Sequence, residues 1–164
     1  MINKTATRLA ILLAHASAPG MLFAAEATDS FTVGAEVSGT CTVTATDLDF
    51  GTVDVTATGN TDATSTISVT CTSGTDYDIG LDGGGAGDVG NREMSDGATG
   101  ILEYALYSDS GHSVDWGDVI DTDTVADTGT GTADDHTVYG RVPDGQTTVT
   151  AGSYSDTINV TVTY

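Results

Sequence analysis

Positive charge is what this sequence has least of. Its 164 residues carry four Lys and Arg against 24 Asp and Glu. Two of the four, Lys4 and Arg8, sit at the start; the others are Arg92 and Arg141. Nucleic-acid binding is disfavoured, because phosphate contacts need Lys and Arg. An anionic membrane surface would repel the chain for the same reason. Cysteine is also scarce. Cys41 and Cys71 are too far apart, and have no His at ligand spacing, to read as a zinc site. Good helix formers are few, and aromatic residues come singly. Beyond the first 25 or so residues, no apolar run is long enough to span a bilayer. There is no GxSxG, no HExxH and no phosphate-cradling loop.

What is present begins with a leader. Lys4 and Arg8 precede an apolar stretch from Leu9 to Ala14 that stays small or apolar to Ala25. Ala25-Glu26-Ala27 fits the small-x-small rule of signal cleavage. Residues 1–27 therefore read as a secretory signal peptide, with an uncleaved anchor as the alternative. His15 and Pro19 interrupt the stretch and argue against a membrane span. The exported remainder would be soluble and would hold no Lys, two Arg and 23 acids, a formal charge of −21. The acids are scattered among Thr, Ser and Gly, which reads as a solvated surface. The sharper reading is a salty habitat, where screening shortens self-repulsion to a few ångströms. An exported chain with two cysteines suggests a disulfide. It would close a loop of about 30 residues and contribute roughly 3–4 kcal/mol in the chain-entropy model. A reduced pair or a metal site are the alternatives.

Period-two alternation runs through the rest. Phe31, Val33, Ala35 and Val37 share one parity, and Ser30, Thr32, Gly34 and Glu36 the other. Cys41, Val43 and Ala45 begin a second strand that ends near Phe50-Gly51. Residues 52–63 read as a polar loop or weak edge. A strand follows over 65–72, with Ile67, Val69 and Cys71 on one face, matching the parity of Cys41 and Val43. Tyr77, Ile79 and Leu81 form the next. Asp82 to Gly90 is a flexible loop that falls short of a calcium-binding GGxGxD repeat. Leu102, Tyr104 and Leu106 point inward from another strand. Trp116-Gly117 lies in a short strand or turn. Residues 121–135 read as an acidic surface loop. Val138, Gly140 and Val142 form a strand before the Pro143-Asp144-Gly145 turn. The last stretch, Tyr154 to Tyr164, alternates again, with Ile158, Val160, Val162 and Tyr164 on its apolar parity. Short strands separated by turns indicate an all-β sandwich in one domain.

Catalytic chemistry finds no foothold in the sequence. His112 and His136 read as lone surface histidines, and Asp134-Asp135-His136 as loop rather than metal cluster. Asn159-Val160-Thr161 is a sequon, but one placed on a strand. No catalytic residue, cofactor or metal ligand is assigned, and the expectation is a non-enzyme. Binding logic is stronger. If the sandwich lacks a strand, the last strand flanks an open groove, and an extended segment can add there. Ser30 to Val37 has the length and alternation for it. Entering a neighbouring copy, it would build a head-to-tail filament. Pairing within its own chain is the competing reading, and from the residues alone the two stand near even.

An ordered set of motifs separates them. They are Cys41-Thr42-Val43, Phe50-Gly51, Val69-Thr70-Cys71, Gly74-Thr75-x-Tyr77, Arg92-x-Met94, Leu102-x-Tyr104-x-Leu106-Tyr107 and Trp116-Gly117. They continue as Tyr139-Gly140-Arg141-Val142-Pro143, Gly145-Gln146, Ala151-Gly152-x-Tyr154-x-Asp156-Thr157 and Val160-x-Val162-x-Tyr164. In this order they resemble the spore coat protein U domain family, which includes major pilins of archaic chaperone–usher pili. The resemblance implies an incomplete immunoglobulin-like β-sandwich, held by Cys41–Cys71 and completed by a donor strand. It implies a periplasmic chaperone, an outer-membrane usher and a homopolymeric cell-surface fimbrium serving adhesion and biofilm. Carried onto this chain, the donor residues are Phe31, Val33, Ala35 and Val37. The acceptor and chaperone-binding strand is Ile158, Val160, Val162 and Tyr164. The implied organisation is signal peptide 1–27, donor segment 28–38 and sandwich domain 39–164. The chain departs from the family in lacking Lys after the leader and in its Asp/Thr-rich loops. The runner-up is a self-complemented secreted coat or carbohydrate-binding sandwich, with Trp116, Tyr104 and Tyr107 as sugar-stacking aromatics.

Overall fold

The structure, a computed structural model, describes residues 23–164. The expected signal peptide lies almost wholly outside them. Residues 23–35 form one unit and residues 36–164 another. The first contains no helix or strand, and its side chains are exposed.

The second unit is an all-β sandwich of eight strands: β1 (Cys41–Ala45), β2 (Thr61–Cys71), β3 (Asp76–Leu81), β4 (Arg92–Ser95), β5 (Ile101–Tyr107), β6 (Val125–Thr128), β7 (Ala133–Val142) and β8 (Val160–Thr163). One sheet has the order β1-β2-β7-β5-β4, the other β6-β3-β8. Every observed pair is antiparallel. The alternation expected from sequence sets the layers. Ile67, Val69 and Cys71 of β2, Leu102, Tyr104 and Leu106 of β5, and Val138 and Val142 of β7 face Tyr77, Ile79 and Leu81 of β3 across one core. Cys41 and Cys71 are register partners on β1 and β2 and form a disulfide, with Cα atoms 4.1 Å apart.

Several expectations need correction. The loop drawn over residues 121–135 contains β6 and the first residues of β7. Side chains supply what the sequence pattern does not: Thr124 and Thr128 hydroxyls donate to Asp78 and Asp76 of β3 at 2.8 and 2.7 Å. Likewise β2 begins at Thr61, inside the stretch read as loop, because β7 pairs with it from Val142 down to Ala133. Trp116 is 1% exposed and donates its indole N–H to the Ile79 carbonyl at 2.9 Å. Tyr104 is buried too, so neither ring is a stacking platform for sugar. The histidines are not surface residues. His136 lies 3.0 Å from the Tyr77 hydroxyl, and His112 is wedged edge-on against the Tyr107 and Tyr139 rings.

Arg92 is the other internal surprise. It is 1% exposed and, among the described residues, forms no ion pair with a carboxylate. Its guanidinium instead donates to the carbonyls of Asp82, Leu81 and Trp116 at 2.9, 3.0 and 2.7 Å. This ties the end of β3, the start of β4 and the Trp116 turn into one corner. Burial lowers its pKa, since a desolvated cation is disfavoured.

Candidate functional site, an open seam between two edge strands

Four strands have a partner strand on one side only among the described residues, β1 and β4 in one sheet and β6 and β8 in the other, and two of them, β1 and β8, flank a common seam. β8 pairs with β3, and β1 with β2. The phase of hydrogen bonding fixes what each open edge presents. The Asp82 amide donates to the Asn159 carbonyl at 3.2 Å. In an antiparallel ladder bonded and non-bonded pairs alternate. Thr161 and Thr163 therefore bond to β3, while Val160 and Val162 turn their N–H and C=O outward. On β1 the marker bonds are Thr46 N–H to Thr66 O and Thr72 N–H to Thr40 O, both 2.9 Å. They leave the main-chain groups of Cys41, Val43 and Ala45 facing outward. The side chains of Cys41, Val43, Val160 and Val162 are half-buried against the core. Each edge thus offers unpaired main chain and an apolar inner face at once. The two strands approach within 8 Å, Cα to Cα, without pairing.

The seam opens into clefts. One, of about 390 Å³, has Ile67, Leu81, Leu106 and Val138 as its floor. Its walls are residues 45–48 on one side and 154–158 with Val160 on the other. A second, of about 770 Å³, lies between residues 48–55 and 149–154, over Leu102. Leu48, Phe50, Met94 and Tyr154 line both. Gly140 explains part of this shape. A Cβ there would meet Leu48 Cδ1 at 2.8 Å and Phe50 Cζ at 2.9 Å, so a larger residue would push these two side chains away from β7.

The wall containing the last strand is shorter as a strand than its alternation suggests. Ser155 exchanges two 3.0 Å bonds with Ser95, and then the chain leaves regular pairing until Val160. Side chains hold the interval. Asp156 accepts from the Tyr104 hydroxyl at 2.6 Å and from the Gly85 amide at 2.8 Å. Asp82 accepts from the Asn159 amide at 3.0 Å and from its Nδ2 at 2.6 Å. Burial raises the Tyr104 phenol pKa, and the Asp156 carboxylate raises it further. At Asp82 burial opposes the charge, but the Asn159 and Gly84 donors outweigh it and hold the carboxyl below its ordinary value.

The residues singled out in the sequence divide into two groups. Ile158, Val160 and Val162 are half-buried along the seam, with Thr157, Asn159, Thr161 and Thr163 exposed between them. Tyr164 is 62% exposed. Phe31, Val33 and Val37 are 89, 84 and 82% exposed, Ala35 is exposed, and residues 30–37 form no strand. Leu48, Phe50, Met94 and Val149 are among the cleft-lining residues not singled out as acceptors, and Tyr154, read as the start of the terminal strand, joins them. Phe50, Met94 and Tyr154 stood in the motifs; Leu48 and Val149 had no signal. Among the described residues, no group of three or more His, Cys, Asp or Glu could hold a metal ion.

Comparison with known proteins agrees with this architecture. No curated protein matches the sequence. Among solved structures, the chain is similar to a chain in the crystal structure of the CsuC–CsuE chaperone–tip adhesion subunit pre-assembly complex from archaic chaperone-usher Csu pili of Acinetobacter baumannii. Identity is 24% and the TM-score 0.57, over 78% of this chain. The match spans 40% of the other chain's length. Residues 27–161 match the Spore Coat Protein U domain family. With that match covering most of its length, the chain belongs to the Spore Coat Protein U domain family.

Proposed function

We propose that the protein is a structural, non-enzymatic subunit of a secreted surface fibre of the chaperone–usher pilus type. One observation carries this reading: two edge strands flank an apolar seam, while an alternating apolar segment of the same chain is left exposed. Residues 30–37 of one copy enter the seam of the next, with Phe31, Val33, Ala35 and Val37 as donors. They add as a strand beside Val160 and Val162, with Ile158 and Tyr164 extending the acceptor face. Burial of the four donor side chains contributes about 4–8 kcal/mol as an upper bound. A strand inserted between two others needs about 9.6 Å from edge to edge. The seam therefore widens by at least about 1.6 Å where β1 and β8 approach within 8 Å.

The partners follow from the exposed edge. A seam left open during export is an aggregation hazard, so a periplasmic chaperone covers it first and an outer-membrane usher directs the exchange. The product is a homopolymeric fimbrium at the cell surface, serving adhesion and biofilm. The domain organisation proposed is donor segment 28–38 and sandwich 39–164, following a cleaved leader, 1–27. Val37, which belongs to the sandwich unit, is 82% exposed, which counts against a self-complemented sandwich that would bury it in its own core.

The test is deletion of residues 28–38 from the exported chain. Polymerisation, followed by light scattering and electron microscopy, should stop, and added peptide 30–37 should raise the domain's thermal stability. A deletion variant that still forms fibres, or that ignores the peptide, would sink the reading.

A further inference from the structure

The rim of the seam is acidic. Asp47 and Asp156 line the first cleft, Asp49 and Asp54 the second, and no Lys, Arg or His lines either. Among the described residues, the ion pairs involve Asp62 and Asp127 only, so none neutralises a rim carboxylate. The exposed segment over residues 28–38 carries Asp29 and Glu36 and no cation. With Phe31, Val33, Ala35 and Val37 facing inward, period-two geometry puts Glu36 on the outer face of the added strand, at the mouth of the seam. Two like-charged surfaces must meet there.

We propose that entry of a second copy's residues 28–38 into the seam is gated by ionic strength: the rim acids repel Asp29 and Glu36 until salt screens them. This rests on the donor-strand reading above. Repulsion between approaching charges acts on the association rate, whereas the packed apolar contacts set dissociation. Screening shortens the reach of the repulsion from about 20 Å at 20 mM salt to about 4 Å at 500 mM. Assembly is therefore slow in dilute medium and fast in brine, without any change in the seam itself.

The experiment uses the full exported chain, kept dilute in EDTA, and an N-acetylated, C-amidated peptide of residues 28–38 carrying an uncharged dye. Capture rates are read by anisotropy from 20 to 500 mM NaCl. The association rate should rise about tenfold across this range with little change in dissociation. A Glu36→Lys peptide keeps the apolar contacts but carries no net charge, so its rate should change less than about twofold. On the acceptor, Asp47→Asn/Asp49→Asn should weaken the salt dependence. Asp88→Asn/Asp135→Asn, which line neither cleft, should weaken it much less. A wild-type rate that is flat or falls with salt overturns the gating alone. So does a Glu36→Lys peptide with the wild-type slope, or equal effects of the two acceptor variants. Failure of capture at every salt concentration overturns the donor-strand reading, and the gating with it.

Discussion

Residues 30–37 and β8 carry the same pattern and meet different fates. Both alternate apolar and polar residues with period two. In β8, Val160 and Val162 are half-buried because β3 supplies one neighbour and the core supplies a face. In residues 30–37, Phe31, Val33 and Val37 are more than four-fifths exposed. Alternation states which face of a segment can be buried; it does not supply the partner. The two regions are also unequal in what they lack. β8 misses one neighbour, whereas residues 30–37 form no strand among the described residues.

The comparison breaks most visibly if the seam loses its far edge. Cys41→Ser/Cys71→Ser opens a 30-residue loop closure and should lower the unfolding free energy by about 3–4 kcal/mol. Urea denaturation measures it. A loss under about 1 kcal/mol would mean that the cross-link adds little to what the β1–β2 ladder already holds. The next effect is Val162→Asp, which puts a carboxylate on the inner face of β8 and should cost about 2–3 kcal/mol. Its counterpart, Val33→Asp, should leave unfolding within about 0.5 kcal/mol of wild type while abolishing fibre growth. Equal destabilisation by the two would place residues 30–37 in the core of their own domain and end the contrast.

Legibility in the sequence followed the number of apolar partners a strand has. β2, β3, β5 and β7 are central or core-facing, and Ile67, Ile79, Leu106 and Val142 announce them by parity. β4 and β6 are four-residue edge strands, Arg-Glu-Met-Ser and Val-Ala-Asp-Thr, with no such run. β6 is held by hydroxyl-to-carboxylate bonds to β3, and β4 by the buried Arg92 anchor. Both depend on residues far away in sequence. The same holds for the site. The parity of Ile158, Val160 and Val162 marked one wall. The opposite wall, at Leu48 and Phe50, exists because Gly140 on β7 leaves room, which no local pattern reveals. His112 was missed for the same reason. Its niche is built by Tyr107 and Tyr139 from two neighbouring strands, with Asp62 3.8 Å from its Nε2.

The smallest expected effect sharpens the contrast at a third place, where an irregular segment meets its own needs. In the loop over residues 109–114, the Asp109 carboxylate accepts from the amides of Ser113 and Val114, the Ser113 hydroxyl and the Gly111 amide, at 2.8–3.1 Å. These donors, the Ser113 amide foremost, pull its pKa from the ordinary 3.8 to about 2. A folded-state value below the unfolded one means that the unfolded chain binds the proton first as acid is added. The loop's contribution is therefore fully present above pH 3.8 and is lost as pH falls through about 2. Amide chemical shifts of Ser113 and Val114 should titrate with a midpoint near pH 2, and Asp109→Asn should abolish the titration. A midpoint near 3.8 would mean that the loop is held otherwise. Among the described residues, the amides of Val160 and Val162 have no such acceptor on their open side. Their shifts should move when peptide 28–38 is added, and the Ser113 and Val114 shifts should not.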